Sequence, residues 1–342
     1  SVKLATKLTR GLSGFINAIL RSVIREQDSI GIEDLAVNDI EAISFIYNIP
    51  LWLINLWISE FGRDKTEDLC AWFNEQPKLT ARINTILIDI PQCLTMLNEQ
   101  GWAVTQDSNY EDIIYINSHR GSLEKSEAFI KGYITFMDKA SMLVARLVNP
   151  QPGERILDCC AAPGGKSMYM ATLMDNVGSL MSCDIHEHKI ELMNSNADRL
   201  GASIVHTKVQ DATKLPDSWN SYFDRVLVDA PCSGLGILQK KLDMRWRKQE
   251  SILSELPSLQ LAILERAAMT VKEKGYLIYS TCTLNYKENE EVVESFLQKH
   301  KEFSIIPVVE NFPLKSNSGM ITTYPPTDDM DGFFMVKMQR IS

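Results

Sequence analysis

The sequence predicts an α/β protein, a doubly wound, mostly parallel seven-stranded sheet preceded by a small α/β module and N-terminal helices. Three observations predict it. From about Gly132 short apolar runs alternate with helix-length segments nearly to the end of the chain, the pattern of parallel strands joined by crossover helices. Asp158, Asp184, Asp229 and Cys282 fall at or just after the ends of those runs, where open α/β sheets gather their ligands. Residues 156–167, ILDCCAAPGGKS, pass from an apolar run through an acid and two cysteines into a Pro-Gly-Gly turn, as expected of a buried strand feeding a tight loop and then a helix.

In chain order, Leu12, Phe15, Ile16, Ile19, Leu20 and Val23 recur at helical spacing, with Arg10, Arg21 and Arg25 on the polar side. A chain that opens in mid-helix with an apolar face gives the expectation that upstream sequence is missing. The apolar region 43–58 is interrupted by Asn48, Pro50 and Asn55; it is short for a membrane span and reads as two core helices separated at Pro50. Residues 1–76 are therefore expected to be helical, and Pro77 ends that section. Residues 77–131 read as a small module of strand (79–89), helix (92–100) and strand (112–117). Residues 132–342 form the main α/β domain, with strands expected at 155–159, 179–184, 203–208, 224–229, 275–280, 304–309 and 332–338. Between two of them Ile190, Met193, Ala197 and Leu200 make an apolar helical stripe that Gly201 terminates.

Composition sets limits on function. The chain has 342 residues, 45% of them hydrophobic, enough for a sizeable core and two or more domains. Thirty-five basic against 44 acidic residues give a net charge of -9, which argues against broad polyanion binding but not against a local basic groove. Seven cysteines, an odd count without a Cys-x-x-Cys pair, fit neither a disulfide framework nor a usual zinc site. A reducing, cytoplasmic setting, no metal and no membrane are the expectations, with a monomer as the working oligomeric state.

The loop after the first main strand excludes two phosphate-binding patterns. Gly165, Lys166 and Ser167 supply the second half of a P-loop, but Cys160 stands where its first glycine belongs; the adjacent Gly164 and Gly165 do not fit Gly-x-Gly-x-x-Gly. What remains is a loop whose amides meet a small anionic group, such as a carboxylate, at a helix N-terminus. Asp184 ends the second strand, well placed for both hydroxyls of a ribose. Asp211 contacts a base amino group or caps a turn. Residues 224–236, DRVLVDAPCSGLG, deliver Asp229, Pro231 and Cys232 into a small-residue loop. Cys282 follows the fifth strand, where Asn285 and Glu288 are read as caps of the next helix.

These segments resemble the NOL/NOP/Sun family of RNA 5-methylcytosine methyltransferases. The resemblance runs from about residue 78 to the C-terminus and rests on DCCAAPGGKS (158–167), DAPCSGLG (229–236), STC (280–282) with ENE (288–290), and DGFF (331–334). Residues 11–26, GLSGFINAILRSVIRE, are similar to the last helix of the NusB-like domain found in bacterial ribosomal RNA members, so most of that domain is expected to be absent. The resemblance implies a Rossmann-like methyltransferase domain that uses S-adenosyl-L-methionine. It implies Cys282 as the nucleophile that adds to carbon 6 of cytosine, Cys232 as the residue that assists release, and Asp229 as the group that holds the base edge. Lys166 lowers a thiol pKa, assists base binding, or has a plain structural role in the loop. The backbone of Cys159, Ala161, Pro163, Gly164 and Gly165, together with Lys166 and the side chains of Asp184, Asp211 and Asp229, would surround the cofactor, the Cys159 and Cys160 side chains serving in packing.

RNA is the implied partner. Lys240, Lys241, Arg245, Arg247 and Lys248 cluster just after the Cys232 loop with Trp246 among them, a set suited to phosphate contacts and base stacking. Met137 and Lys139 stand where relatives often carry Gln and an acid, and residues 238–246, LQKKLDMRW, lack the His-Pro often seen in the ribosomal RNA enzymes. The expected function is methylation of a cytosine in 16S ribosomal RNA. The alternatives are the same reaction on transfer RNA, and a non-catalytic RNA-binding assembly factor, which would need neither thiol.

Overall fold

The computed structural model describes residues 5–7, 11–26, 38–307, 312–314, 316 and 318–341; Arg10 and Val309 lie outside them. Two compact units divide the chain, Ser1–Ala71 and Trp72–Ser342.

In the first unit the helix Ser13–Glu26 forms where the apolar spacing predicts it, and it contains no buried residue. The helix Asp39–Tyr47 starts because the Asn38 side chain accepts from the amides of Ile40 and Glu41, and Asn48, at a φ of 53°, closes it. Leu51–Phe61 follows Pro50 and buries Leu53, Ile54 and Trp57. The two helices meet at 113°, as the break at Pro50 predicts, and among the described residues no single helix is long and apolar enough to cross a membrane.

The second unit holds two sheets. The smaller is antiparallel in the order β2-β3-β1-β4, from β1 Thr80–Ile83, β2 Ala103–Gln106, β3 Ile113–Ser118 and β4 Ile134–Phe136. The strand expected over 79–89 stops at Ile83, because Asn84 is drawn into a buried turn where its side chain donates to the carbonyls of Gly132 and Leu200. Asp89 then caps the helix Ile90–Glu99 by accepting from the Gln92 amide. Strands as short as β2 and β4 show no alternation by which sequence could find them.

The larger sheet contains β5 Arg155–Asp158, β6 Ser179–Asp184, β7 Val205–Val209, β8 Phe223–Asp229, β9 Val271–Thr281, β10 Phe303–Ile305, β11 Met320–Thr322 and β12 Phe334–Arg340. Its order is β10-β12-β9-β8-β5-β6-β7, with β11 on β12. The five strands β5 to β9 are parallel and the last three antiparallel. The count of seven is thus corrected to eight, the addition being the three-residue β11 at the edge.

Period-two alternation builds one core on each face. On β5, β8 and β9 the residues Ile156, Leu227 and Ile278 face a layer that includes Met142, Leu143, Met168 and Met170. Their neighbours Leu157, Val226, Val228, Leu277 and Tyr279 face Ile263, Leu264, Val293 and Phe296. Strand order reverses at β5, which has β6 on one side and β8 on the other. That is the crevice where a ligand binds in such a sheet.

Two features outside the crevice give testable expectations. Gly236 donates to the Cys282 carbonyl and accepts from the Gly332 amide, and a Cβ on Gly236 would sit 1.8 Å from the Gly332 carbonyl oxygen. Gly236→Ala is expected to cost about 1–3 kcal/mol of stability, measured from denaturant midpoints. On β12, burial, with Arg225 nearby, lowers the Lys337 ammonium from 10.5 to about 7. The unfolded lysine keeps its proton across the window between those values, so the unfolded state binds more protons there and this group's effect on stability improves as pH rises. Lys337→Met should therefore improve stability more near neutral pH than near pH 10, by on the order of 2 kcal/mol, read from unfolding curves at both.

Candidate active site

Strand β5 delivers Asp158 into the interior, and the loop after it turns at Gly164, whose φ of 98° suits glycine, before the helix Gly165–Leu173 begins. Asp158 is fully buried. Ser167 Oγ donates to its Oδ2 at 2.7 Å, and Ser182 Oγ donates to Ser167 Oγ at 2.9 Å. Burial pushes the Asp158 carboxyl up to about 7 against these bonds. The loop is thus tied to β5, to β6 and to its own helix.

Beyond the carboxyl ends of β5 to β9 lies a cavity of about 420 Å³, within the range of small-molecule sites. Cys159, Cys160 and Ala162 line it from the loop, Asp184 from β6, Asp211 from the segment after β7, and Asp229, Cys232 and Cys282 from the ends of β8 and β9. Asp184 Oδ1 accepts from the His186 amide at 3.0 Å, and Lys189 Nζ approaches it at 3.6 Å. Asp211 both lines the cavity and caps a turn, for its carboxylate accepts from the Thr213 amide and hydroxyl; those bonds hold it below the usual carboxylate range.

Ala161, Pro163, Gly164, Gly165 and Lys166 do not themselves line this cavity, although Cys159, Cys160 and Ala162 of the same loop do. The Ala161 amide donates to the Cys183 carbonyl and the Gly164 amide to the Ala161 carbonyl, both at 2.7 Å. Gly165 faces the Met137 side chain, its Cβ position 3.7 Å from that sulfur. Lys139, the other departure in this region, pairs with the buried Asp107 of the small module.

At the β8–β9 end four groups converge. Asp229 Oδ2 accepts from Lys166 Nζ at 2.6 Å and Oδ1 from Ser280 Oγ at 2.8 Å. Burial opposes the Lys166 charge, but Asp229, and next to it Cys282, raise the ammonium above its ordinary value. The Cys232 and Cys282 sulfurs lie 3.3 Å apart, and the Cys282 amide points at Cys232 Sγ at 3.4 Å. The hydrogen bond to Cys282 and burial push the Cys232 thiol well above the ordinary cysteine range. Cys159, fully buried, is likewise raised by burial and packs against the sheet. A cationic lysine beside one thiol and a neighbour that keeps the other protonated form a pair suited to nucleophilic addition followed by proton transfer.

The basic cluster after the Cys232 loop divides. Lys240 is exposed at the surface and pairs with Asp138 and, at 3.0 Å, with Asp331, pinning the loop to the DGFF segment. Arg245 is buried, donating to Asn74 Oδ1 at 2.7 Å and to the Phe73 carbonyl. Arg245 is thereby corrected from a phosphate contact to an internal anchor, because the groups that hold it lie far away in sequence. Lys241 and Arg247 are exposed, Arg247 within 3.1 Å of Asp243, and Trp246 is 60% exposed beside them. His186, Gln210 and Met244 also line the cavity; nothing in their spacing singled them out. Among the described residues no group of three or more His, Cys, Asp or Glu is placed to hold a metal ion.

Comparison with known proteins gives matches over most of the chain. The family described as 16S rRNA methyltransferase RsmB/F matches residues 145–339, and the ferredoxin-like domain of RsmF/B-like methyltransferases matches residues 49–121. The probable ribosomal RNA small subunit methyltransferase B of Bacillus subtilis strain 168 is 36% identical over 97% of this chain and 74% of its own length. The corresponding protein of Synechocystis sp. strain PCC 6803 is 35% identical over 97% and 75%. The crystal structure of PH0851 superposes with a TM-score of 0.88 at 29% identity, covering 98% of this chain and 74% of that one. A methyltransferase homolog from Pyrococcus horikoshii, at 22% identity and a TM-score of 0.77 over 89% of this chain and 100% of that one, shares the fold.

Proposed function

The chain belongs to the 16S rRNA methyltransferase RsmB/F family, and from that premise we propose that it methylates carbon 5 of a cytosine in 16S ribosomal RNA through a covalent cysteine adduct. The observation that carries this reading is the pair of sulfurs 3.3 Å apart at neighbouring strand ends, beside the Lys166–Asp229 ion pair. RNA methylation in general needs no second thiol. Addition to a pyrimidine and later elimination give both thiols a task.

The cavity is of a size to take S-adenosyl-L-methionine: Asp184, at the end of β6, would hold the ribose hydroxyls, and Asp211 would meet the adenine. When bound, that molecule supplies the methyl group as an electrophile. The protein's own groups do the rest. Asp229, whose oxygens each retain acceptor capacity, holds the ring nitrogen and amino edge of the cytosine and stabilises its protonated form. Lys166 favours the thiolate of Cys282, which adds to carbon 6 and makes carbon 5 nucleophilic. Once the Cys282 sulfur is bonded to carbon, its hydrogen bond and charge no longer hold the Cys232 proton in place. Cys232 then passes its own proton to solvent and takes the one from carbon 5, and the electron pair left behind restores the ring double bond as the Cys282 thiolate departs. Lys241, Arg247 and Trp246, exposed after the Cys232 loop, are candidate contacts to the RNA strand. Both thiols must stay free for this chemistry, as a reducing, cytoplasmic setting would keep them.

The test is to incubate the protein with methyl-labelled S-adenosyl-L-methionine and with small-subunit RNA or transfer RNA, then map the label. 5-Methylcytosine at one position of the small-subunit RNA is the expected result. Label confined to transfer RNA would move the substrate, and label on another atom would refute the chemistry.

A further inference from the structure

Glu288 sits in the ENE segment, where its spacing suggests a helix cap, yet its carboxylate caps nothing: it is fully buried and turned back toward the Cys232 loop. Its Oε2 accepts from the Ser233 amide at 2.8 Å and from Gln260 Nε2 at 2.9 Å. Its Oε1 accepts from Asn285 Nδ2 at 3.0 Å and from the Ser233 hydroxyl. Gln260 also donates to the Pro231 carbonyl at 3.0 Å, so both neighbours of Cys232 are tied to one group. Ser233 Oγ lies 2.7 Å from Thr283 Oγ1, joining this loop to the residue after Cys282. Asn289 flanks the other thiol: its Nδ2 donates to the Thr283 carbonyl at 2.9 Å and its Oδ1 accepts from Thr281 Oγ1 at 2.5 Å.

We propose that Glu288 is a positioning residue for the two-thiol chemistry, clamping the Cys232 and Cys282 loops so that their sulfurs face each other and setting a carboxylate behind Cys232. Asn289 completes the clamp on the Cys282 side. The inference rests on the function proposed above and adds the element that makes two otherwise alike thiols unequal, since opposed environments assign opposed roles. Lys166 stands toward Cys282, while Glu288, after the Cys282 hydrogen bond, burial and the Cys282 charge, is a further cause of the high Cys232 thiol. A carboxylate that meets four donors in the interior is well satisfied, and a side chain that removes it leaves Ser233 and Gln260 donors without an acceptor.

Two readouts separate positioning from mere stability. In Glu288→Gln, which keeps the shape, kcat for methyl transfer should fall about 100-fold, as expected for a small misplacement of reacting groups, with the KM for RNA and the affinity for S-adenosyl-L-methionine nearly unchanged. Brief treatment with iodoacetamide followed by peptide mass spectrometry should show Cys282 alkylated ahead of Cys232 in the parent protein and a narrowed difference in Glu288→Gln. Unchanged kcat together with an unchanged order of alkylation would overturn the proposal. If Glu288→Gln does not fold, Ser233→Ala carries the same test by removing the hydroxyl's bonds to Glu288 and Thr283 while keeping the Ser233 amide's bond to the carboxylate; a fall in kcat of about 10-fold without a change in KM is expected, and no fall refutes it. A parent protein that leaves cytosine unmethylated sinks the parent reading, and the alkylation order then still decides the role of Glu288.

Discussion

Replacing Cys282 with alanine is expected to abolish methyl transfer, lowering the rate by roughly 10⁴- to 10⁶-fold, as loss of a covalent nucleophile does. Carbon 5 of cytosine is a poor nucleophile until a group adds at carbon 6, so no partial route survives. Cys232 cannot substitute, although its sulfur is only 3.3 Å away: the bond to Cys282 disappears in the variant, but burial and the nearby Glu288 still favour its protonated form. Binding of S-adenosyl-L-methionine should persist, because Asp184 and Asp211 line the cavity from other strands. Labelled methyl incorporated at the parent rate would eliminate the covalent mechanism.

Replacing Cys232 with alanine is expected to have the opposite signature, a trapped product. In the proposed mechanism addition and methyl transfer need Cys282, Lys166 and Asp229, all of which remain, whereas the carbon 5 proton loses its acceptor. Turnover should fall about 10²- to 10⁴-fold, the usual share of a positioned base, and an RNA–protein adduct resistant to denaturing electrophoresis should accumulate toward one per enzyme. Combining Cys232→Ala with Cys282→Ala should remove the adduct. Free 5-methylcytosine released by Cys232→Ala at the parent rate, with no adduct, would assign the release step elsewhere.

Much of the main domain was legible because its signals are local. A run such as Arg155–Asp158 announces a buried strand by its own residues, and the acid or cysteine at its end announces the side of the sheet on which ligands gather. The register of β8 on β9 then pairs Asp229 with Ser280, which brings Cys232 and Cys282 together a few residues beyond. The edge strand β11 and the short β2 and β4 escaped because three or four residues carry no period, and their pairing depends on partners already in place.

Charge was the least legible property. Arg245 and Lys240 read as parts of a basic surface, and a sequence shows only that they are cationic. Arg245 meets Asn74, 171 residues away, and is an internal anchor instead of an RNA contact, while Lys240, still exposed, pairs with Asp138 and Asp331. Glu288 followed the same rule: a local reading made it a cap, while its actual partner, Ser233, lies 55 residues earlier. The sequence by itself determined the strand–helix alternation, the loop after β5 and the two cysteines at strand ends, because these follow from periodicity and turn chemistry within a few residues. Only the tertiary structure decided which charges meet water, which meet one another, and which carboxylate stands behind which thiol, because burial and pairing are set by residues that the fold, not the chain, makes neighbours.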